Sequence, residues 1–562
     1  MATTSPNLPE ARPQAAPPTS WFNTRRGRVV IENLTAYLFL LPAGMLIFLF
    51  GIFPVGFAFY VSLNRWRRFP ESYEGLGNYT RSLGDFAYVL FFWLAIGALI
   101  YAAVLLVRFW RERGFGRTWL LLVPAVLNVG ALLLFTRWFF MLLPVVLDIP
   151  QRVRGQERVP GLFVNELFAS FRVAEVSDAG NLALLSILAA SVASVIFLRF
   201  IRSDDSARAL IDLMLAAFFV AAGVLVIQLT ATAISATIEA ARGEGTELPI
   251  WSQVILISGG FTLVAAAFVL WRKAIAQHDG RHFALLGAAA LALLVGGYLL
   301  VAELPQALAN ADETLLHSFG ITVMFVIGTV PLQLAAGLGL AYLLFQNIKG
   351  KSFFRIVYFL PYITPFVATS VVFKILFSHR ETSPINQFFG FLGIPPQAWL
   401  LQPTGIFELI FGPNIPDWLA GPSLALVVIM LYTVWTYIGY DTVVFLAGLG
   451  NISMELYEAA RIDGASSWAI FRYITLPLLS PTTFFLSLIA IIGTFKAFTQ
   501  VWIMRFPASA NSVDTTSVYI FETVRANTNL GYGSAMAFVL FGIILALTVF
   551  QNRLMGRKVF YG

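Results

Sequence analysis

The sequence has no cysteine, only four histidines and few charged residues, and each scarcity excludes a class of chemistry. The absence of cysteine excludes disulfide bonds, thiolate catalysis and cysteine metal sites. The histidines are scattered without metal-ligand spacing, so no metal site and no cofactor is predicted. Only 12% of the 562 residues are charged whereas 58% are hydrophobic, and a water-soluble protein could not bury so much apolar surface. The composition therefore predicts an all-α polytopic membrane protein.

The net charge of +7 does not predict nucleic-acid binding, because Lys and Arg cluster in short loops between apolar runs. Residues 1–28 are rich in Pro, Ala, Thr and Ser, and they predict a disordered tail that lacks the apolar centre of a signal peptide. Basic residues flank the first and the last apolar run, and they predict that both termini are cytoplasmic. These residues are Arg25, Arg26, Arg28, Arg553, Arg557 and Lys558.

About twelve apolar runs have close to the ~20 residues that a helix needs to cross ~30 Å of hydrocarbon. One lies at about 36–63, six lie between residues 86 and 312, and five lie between 313 and 562. The loops of the middle six alternate between basic and acidic, as an even number of crossings requires. The runs of the middle segment are 86–106, 119–147, 182–198, 210–233, 250–270 and 283–301, and the later ones are 317–345, 354–377, 424–449, 481–504 and 536–550.

A polar stretch at 458–477 interrupts two of the later runs and predicts two short helices joined at a turn. Gly464 can adopt the left-handed conformation that ends the first helix, and Ser466 can cap the second. Pro477 is expected to end the unit, since a proline cannot continue a helix. The residues alone leave two interpretations open, an interfacial hairpin packed on its own membrane domain or a docking element for another protein.

The spacing of this stretch resembles the EAA loop of the permeases of binding-protein-dependent ABC importers. In that family the loop faces the cytoplasm and docks on the ATP-hydrolysing subunit. The resemblance therefore implies that the chain is not an enzyme itself and works with partners: two ATP-binding subunits, a second permease subunit in a heterodimer, and an extracytoplasmic solute-binding protein. The positions that carry the resemblance are Glu458, Ala459, Ala460, Asp463, Gly464, Ile474, Leu476 and Pro477.

Two further segments, 75–79 and 383–400, resemble external segments of carbohydrate permeases in this family. The resemblance implies a six-helix importer core made of residues 29–85 and 313–562, located in a bacterial or archaeal inner membrane. Residues 86–312 interrupt the family pattern with about six inserted transmembrane helices. We expect this insertion to scaffold the core from one side.

The helices that flank the EAA loop carry polar and aromatic side chains inside apolar runs. A sugar needs such groups, because hydroxyls and amides bind its hydroxyls and aromatic faces contact its C–H surfaces. An ionised side chain at mid-bilayer costs about 2.5–3.5 kcal/mol, so Asp441 and Lys496 need water or a partner. The candidate residues of the substrate path are Thr433, Thr436, Tyr437, Tyr440, Asp441, Thr494, Lys496 and Gln500.

The resemblance implies import of a sugar of the maltose, maltodextrin or trehalose type, with the substrate held between these two helices. Asp441 and Lys496 also permit two other interpretations: an ion pair that only fixes helix packing, and an ion-coupling pair in a secondary carrier. No internal repeat supports the carrier, and no catalytic constellation supports a membrane-embedded enzyme.

Overall fold

The computed structural model describes residues 25–67, 70–114, 116–155, 160–201, 205–245, 248–275, 281–346 and 348–556. Over these residues the regular structure is helical apart from one antiparallel hairpin, β1 (Asn64–Trp66) and β2 (Pro70–Tyr73). The prediction of an all-α polytopic membrane protein is confirmed. The tail predicted before residue 25 lies outside the described residues, as do Arg557, Lys558 and the side chains of residues 25–28.

The contacts divide the chain at residue 60 into two compact units. The described part of the first unit contains α1 (Arg25–Ile47), a π-helical turn (Phe48–Ile52) and most of α2 (Phe53–Ser62). The first apolar span, Ile31–Ser62, runs through these helices. The wider π turn directly precedes Pro54, and such turns accompany a proline that cannot keep the regular hydrogen-bond ladder.

In the second unit, the predicted insertion forms six long apolar helices, one for each predicted run. They are preceded by the short helix α3 (Gly77–Leu83). The helices of the insertion are α4 (Phe86–Arg113), α5 (Leu122–Leu147), α6 (Ile149–Arg152), α7 (Leu162–Phe171), α8 (Ala174–Ile201), α9 (Ser206–Gly243), α10 (Ile250–Ile275) and α11 (Arg281–Leu308).

Small residues allow the inserted helices to pack in pairs, α4 with α9, α5 with α8 and α10 with α11. A Cβ atom on Gly223 would lie 3.1 Å from the carbonyl oxygen of Ala95 on α4. One on Gly260 would lie 3.1 Å from the carbonyl oxygen of Gly296 on α11. The pairs α4–α9 and α10–α11 therefore owe their close approach to missing side chains.

The two ends of the insertion meet. The backbone N–H of Asp312 donates to the carbonyl oxygen of Arg81 at 3.1 Å, and a Cβ atom on Gly84 would collide with the carbonyl oxygen of Ala307. Gly84 has φ +61°, a conformation that glycine adopts without strain. Residues 85–311 therefore leave the rest of the fold and return to it at one point.

Hydrogen bonds between side chains stabilise this junction. Both Tyr519, on a later helix (Thr516–Arg525), and Tyr532 donate hydrogen bonds to Oδ2 of Asp312, at 2.7 and 2.5 Å. Burial would raise the pKa of Asp312, but the hydrogen bonds from Tyr532 and Tyr519 outweigh it, and the pKa lies below its ordinary value. Burial raises the pKa of Asp85, at the other end of the insertion. Asp312 is thus stabilised as a carboxylate, whereas Asp85 is not.

The remaining helices of the second unit contain the five later runs. They are α12 (Glu313–Phe345), α13 (Lys351–Ile363), α14 (Phe366–Leu376), α15 (Pro384–Phe391), α16 (Ile406–Phe411), α17 (Leu424–Gly450), α18 (Met454–Ile462), α19 (Ser467–Ile470), α20 (Leu476–Leu478), α21 (Ser480–Phe495), α22 (Thr499–Met504), α23 (Ala510–Val513), α24 (Thr516–Arg525) and α25 (Leu530–Met555). Among the described residues, ten helices are long and apolar enough to cross a membrane, or twelve if two bent pairs each count as a span.

The helix α17 lies at the centre of this group and packs against α12, α13 and α21. A Cβ atom on Gly337 of α12 would lie 2.7 Å from Cβ of Asp441, and one on Gly439 would collide with the carbonyl oxygen of Tyr358 on α13. The hydroxyl of Thr442 also donates to the carbonyl oxygen of Gly337, at 3.3 Å. These contacts fix the depth at which α12 and α13 cross α17.

The single span predicted at 354–377 is not one straight helix. It is α13 followed by α14, with a bend of 96° between them. Thr364 is extended with ψ 140°, and Pro365 has φ −55° and ψ 124°. A proline disfavours helical geometry at the residue before it, so the chain breaks at Thr364. Hydropathy alone did not reveal the break, since both halves are apolar.

Candidate functional site: a polar cavity and an exposed elbow

A cavity of about 240 Å³ lies among α12, α13, α17 and α21. Two of these helices, α17 and α21, are the ones that flank the EAA-like stretch. Polar and aromatic residues form much of its wall, together with Leu486, Ile489, Ala490 and Gly493. The polar and aromatic residues are Gln333, Tyr362, Thr433, Tyr437, Tyr440, Asp441, Thr494 and Gln500.

The helix α17 supplies one continuous face of the cavity. Thr433, Tyr437 and Asp441 follow one another at intervals of four residues, which places them on the same side of a helix. Thr436 is buried outside the cavity lining, and its hydroxyl donates to the carbonyl oxygen of Tyr432 at 2.8 Å. Of the five predicted residues on α17, Thr436 is the one that lies outside the cavity lining.

Three tyrosines form an aromatic wall. The ring of Tyr362 stacks on Tyr440 with centroids 4.9 Å apart and meets Tyr437 edge-on at 5.8 Å. Tyr362 ends α13 just before the bend, so the break at Thr364 sets the position of this ring. Such a wall can contact the C–H face of a sugar ring.

Asp441 and Lys496 do not form an ion pair in the described part of the chain. Asp441 lines the cavity and is 2% exposed, whereas Lys496 is exposed outside the lining. The predicted helix was expected to continue to residue 504, but α21 ends at Phe495 and Lys496 is its C-cap. The ion-pair interpretation is therefore wrong, and the carrier hypothesis loses the pair on which it rested.

Sequence reasoning missed Gln333 and Tyr362 as members of the site. Gln333 precedes Thr433 by 100 residues and Tyr362 precedes Tyr437 by 75, so only the fold brings them to the cavity. A polar residue among the small residues of an apolar run was the signal available for Gln333. Pro365, which marks the break beside Tyr362, was the signal available there.

Between α17 and α21, the helices α18 to α20 form an elbow, defined as residues 453–478. The Ser453 side chain caps α18, Gly464 ends the turn with φ +79°, and the Ser466 side chain accepts from the N–H of Ala469 at 3.2 Å. The predicted two-helix unit is thus present. The helix does not end at Pro477 as predicted: a π turn at Phe471–Thr475 leads into α20, and the 63° bend follows Leu478.

The inner face of the elbow is anchored to the membrane helices. Tyr457 and Ile470 of the elbow, and Leu479 directly after it, are buried in one apolar cluster with residues of α12 and α17, such as Ala341 and Phe445. The hydroxyls of Tyr457 and Thr475 are 3.3 Å apart, which ties α18 to the second helix of the elbow. A displacement of the elbow therefore has to move α17 or α21.

The outer face of the elbow is exposed and carries large apolar side chains among charged and polar ones. The exposed fractions are 86% for Ile462, 68% for Trp468 and 74% for Tyr473. Of the EAA-like positions, Ala460, Ile474 and Leu476 are half-buried on the inner side, and the others are exposed. The exposed positions are Glu458, Ala459, Asp463, Gly464 and Pro477.

Comparisons with known proteins identify the family of the chain. The family described as "Binding-protein-dependent transport system inner membrane component" matches residues 333–559. The chain is 32% identical over 246 residues to the arabinooligosaccharides transport system permease protein AraP of Bacillus subtilis, covering 43% of this chain and 70% of the relative. It is 31% identical over 234 residues to the lactose transport system permease protein LacF of Rhizobium radiobacter, covering 41% and 72%.

A third relative is the sn-glycerol-3-phosphate transport system permease protein UgpA of Agrobacterium fabrum, 29% identical over 253 residues, with 45% of this chain and 79% of the relative covered. Among solved structures, a bacterial alginate ABC transporter in complex with an alginate pentasaccharide-bound periplasmic protein matches with a TM-score of 0.39 and 20% identity. That match covers 45% of this chain and 81% of the other.

The apolar helices and the sequence relatives show a multi-pass permease of the inner membrane, the membrane-spanning component of an ABC transporter. The chain belongs to the family of inner membrane components of binding-protein-dependent transport systems. The predicted resemblance to carbohydrate permeases is confirmed, and the chain is a permease subunit and not the ATP-hydrolysing one.

Proposed function

We propose that this permease imports a neutral oligosaccharide of the maltose, maltodextrin or trehalose type. The relatives named above are permeases for arabinooligosaccharides, lactose and sn-glycerol-3-phosphate, which supports a carbohydrate or polyol substrate. The cavity supports it as well, because hydroxyl and amide groups alternate with tyrosine rings along its wall.

One observation carries the proposal: the exposed elbow is continuous with both helices that supply most of the cavity wall. It connects α17 to α21, and its inner face packs on α12 and α17. A protein that pushed on Ile462 or Trp468 would therefore displace cavity residues. This is the mechanical link that an importer driven by a separate ATPase requires.

The partners follow from this role. Two ATP-binding subunits dock on the elbow and on its counterpart in a second permease subunit, and a solute-binding protein delivers the sugar from the other side. ATP closes the two motor subunits, the elbow transmits the movement, and the cavity alternates its access. In this arrangement the elbow and both termini are cytoplasmic.

Within the cavity, the proposed substrate contacts come from three places. Tyr437, Tyr440 and Tyr362 stack on the sugar, Thr433 and Asp441 bind its hydroxyls from α17, and Thr494 and Gln500 bind them from the far side. Thr436 and Lys496 lie outside the lining, so direct contact with substrate is not proposed for them.

The test is reconstitution of the assembled importer in vesicles with its binding protein and ATP. We expect uptake of the sugar that the binding protein retains on purification, coupled to ATP hydrolysis. Cysteine substitution at Ile462 with a membrane-impermeant thiol reagent checks the side, since the native chain has no cysteine. Labelling from the outside, or an absence of any nucleotide-hydrolysing companion, would remove the importer assignment.

We also propose that residues 86–312 are an inserted helical layer that scaffolds the transport core without taking part in transport. The meeting of its ends at Arg81 and Asp312 supports this, because a short linker can replace the whole segment.

Deletion of residues 86–310, with a Gly-Ser linker, should leave uptake per assembled importer close to wild type. Deletion of α11 alone is the control, since it leaves an odd number of crossings and should abolish assembly. If the variant that lacks residues 86–310 inserts and assembles but loses all uptake, the segment is not a dispensable scaffold.

A further inference from the structure

A second cavity, of about 440 Å³, lies in the insertion between α5 and α8. Its volume is in the range of about 300–1,000 Å³ that is typical of small-molecule sites. The lining residues recur at intervals of three and four along each helix, so each helix contributes one face. They include Leu134, Arg137 and Met141 on α5 and Glu175, Asp178 and Leu182 on α8.

The arginine of this cavity lies within a membrane span and has no partner. Arg137 is ten residues, about 15 Å along the helix, before the end of α5 at Leu147. Its side chain is exposed, and it forms neither an ion pair nor a hydrogen bond within the described part of the chain. A guanidinium is always charged, and a charged side chain inside a membrane span is expected to have a partner. The missing partner has to be an anion.

Two carboxylates line the same cavity without supplying that anion. Glu175 and Asp178 are exposed and lie three residues apart on one face of α8. Over the residues that the structure describes, no ion pair joins either of them to Arg137. Opposite charges therefore line one cavity without contacting each other. A ligand that carries both a negative and a positive group would complement both sides.

The walls of the cavity are held at a fixed distance. A Cβ atom on Gly180 of α8 would lie 2.8 Å from Nε1 of Trp138, so the two helices cross closely at this point. Further along, the side-chain amide of Asn128 donates to the hydroxyl of Ser194 at 2.8 Å. These two contacts also show that α5 and α8 are antiparallel, since the later residue of α5 meets the earlier residue of α8.

The polarity of the cavity changes along the helices. Glu175 lies in the first turn of α8, and Leu182 is seven residues, about 10 Å, further into the span. On the antiparallel α5, Leu134 lies on the same deeper side of Arg137. The charged residues therefore lie towards the end of the span and the leucines towards its middle. This order matches a phospholipid, whose charged headgroup lies outside its apolar chains.

We infer that this cavity binds one phospholipid whose headgroup carries a primary ammonium beside the phosphate, phosphatidylethanolamine. The guanidinium of Arg137 donates to the phosphate, for which its planar pair of donors is suited. The ammonium donates to Glu175 and Asp178, and the acyl chains pass Leu134 and Leu182. Phosphatidylcholine lacks the ammonium donors, and phosphatidylglycerol lacks the positive charge. The site lies apart from the sugar path and does not depend on which sugar is imported.

Native mass spectrometry of the purified, delipidated complex of both permeases and both ATPase subunits tests the inference. The probes are phosphatidylethanolamine, phosphatidylcholine and phosphatidylglycerol with identical acyl chains, together with soluble glycerophosphoethanolamine. The tightest site should prefer phosphatidylethanolamine by at least about tenfold over the other two lipids, since charge-assisted hydrogen bonds distinguish them. Glycerophosphoethanolamine should bind at least about a hundredfold more weakly, because it has no acyl chains to bury.

Substitutions assign the binding to this cavity. Arg137→Gln should weaken the binding of phosphatidylethanolamine at least about tenfold, because it removes the contact with the phosphate. Glu175→Gln combined with Asp178→Asn should bring phosphatidylethanolamine and phosphatidylcholine to within about threefold of each other. Arg199→Gln on α8 and Glu239→Gln on α9 remove exposed charges outside the lining and should change neither affinity. Size-exclusion chromatography checks that each complex is assembled.

Four results would each overturn the inference. They are equal affinities of the wild-type complex for the three lipids, a preference for phosphatidylglycerol, binding of the soluble headgroup as tight as that of the lipid, and an unchanged affinity for phosphatidylethanolamine in Arg137→Gln. None of these measurements involves transport, so they leave the proposed importer function untouched.

Discussion

The core and the insertion are both built of apolar helices that cross at glycines, yet they differ in how much of each helix is enclosed. In the most apolar window of α17, 61% of the residues are buried, whereas the figure is 6% for α8 in the insertion. The helix α17 contacts neighbours on several sides and carries its polar residues inward, while α8 packs mainly on α5. Enclosure on all sides is what permits Asp441 and Gln333 to lie within a membrane protein away from lipid.

The hydrogen bonding of polar side chains also differs between the two regions. In the insertion, hydroxyls mostly return to their own helix, as when Thr230 donates to the carbonyl oxygen of Val226 at 2.8 Å. In the core, Asp441 and Gln333 leave acceptors unused beside a cavity. Four substitutions, each with a counterpart elsewhere in the chain, test this difference between the core and the insertion.

The largest effect is expected at the tightest crossing of the core. Gly439→Ala places a methyl group against the backbone of Tyr358, and overpacking of this kind costs about 1–3 kcal/mol of folding stability. Gly259→Ala is the counterpart in the insertion, with open space around its Cβ, and should change stability by less than about 0.5 kcal/mol. Thermal unfolding of the two purified variants in detergent measures the difference. Equal destabilisation would contradict the distinction in enclosure.

The next effect concerns the elbow. Gly464→Leu forces a branched side chain into a left-handed conformation on the exposed face, and we expect transport to fall by at least about tenfold, equivalent to 1.4 kcal/mol of lost coupling. Gly245→Leu, in the insertion, has nearly the same φ of +77° and open surroundings, so it places the same side chain at a positive φ without touching the elbow. Uptake and sugar-stimulated ATPase activity should fall in the first variant and persist in the second. Normal transport in Gly464→Leu would argue against docking at the elbow.

A smaller effect is expected in the cavity. Tyr437→Ala removes one ring of the aromatic wall, and an aromatic contact contributes about 0.5–1.5 kcal/mol, so uptake should fall about threefold to tenfold. Thr494→Ala should act in the same direction. Tyr298→Ala, in the insertion, removes an exposed ring that faces away from the cavity and serves as the control. Full uptake in both cavity variants would remove these residues from the substrate path.

The smallest effect is expected at the junction between the two regions. Because the pKa of Asp312 is lowered in the folded state, its ionised form stabilises the fold at pH values above the ordinary pKa of 3.8. This stabilisation is lost as the pH falls through the folded-state pKa. The raised pKa of Asp85 has the opposite effect on stability, since ionisation of this residue destabilises the fold as the pH rises above 3.8. Asp312→Asn should therefore lower stability at neutral pH and flatten its acid dependence, whereas Asp85→Asn should not lower it. Denaturant unfolding between pH 3 and pH 7 compares them, and the same sign in both would contradict the assignment.

The sequence predicted the crossings well because hydropathy over twenty residues reports directly on a membrane helix. It predicted the elbow because Gly464 and Ser466 act locally, on their own turn. It failed where a longer-range or sharper feature decided the outcome. Pro365 breaks a run that is apolar on both sides, and the early end of α21 leaves Lys496 outside the wall that Asp441 lines. Gln333 and Tyr362 reach the cavity only through tertiary packing, which no local pattern encodes.

The meeting of residues 81 and 312 has a thermodynamic consequence for how such a chain can grow. A flexible loop of more than two hundred residues would cost closure entropy, but an ordered segment whose two ends meet imposes little of that cost on the chain that contains it. The polypeptide on either side of the junction is therefore joined as if by a short turn. Helices could be gained or lost there two at a time without changing the side of the membrane on which any later segment lies.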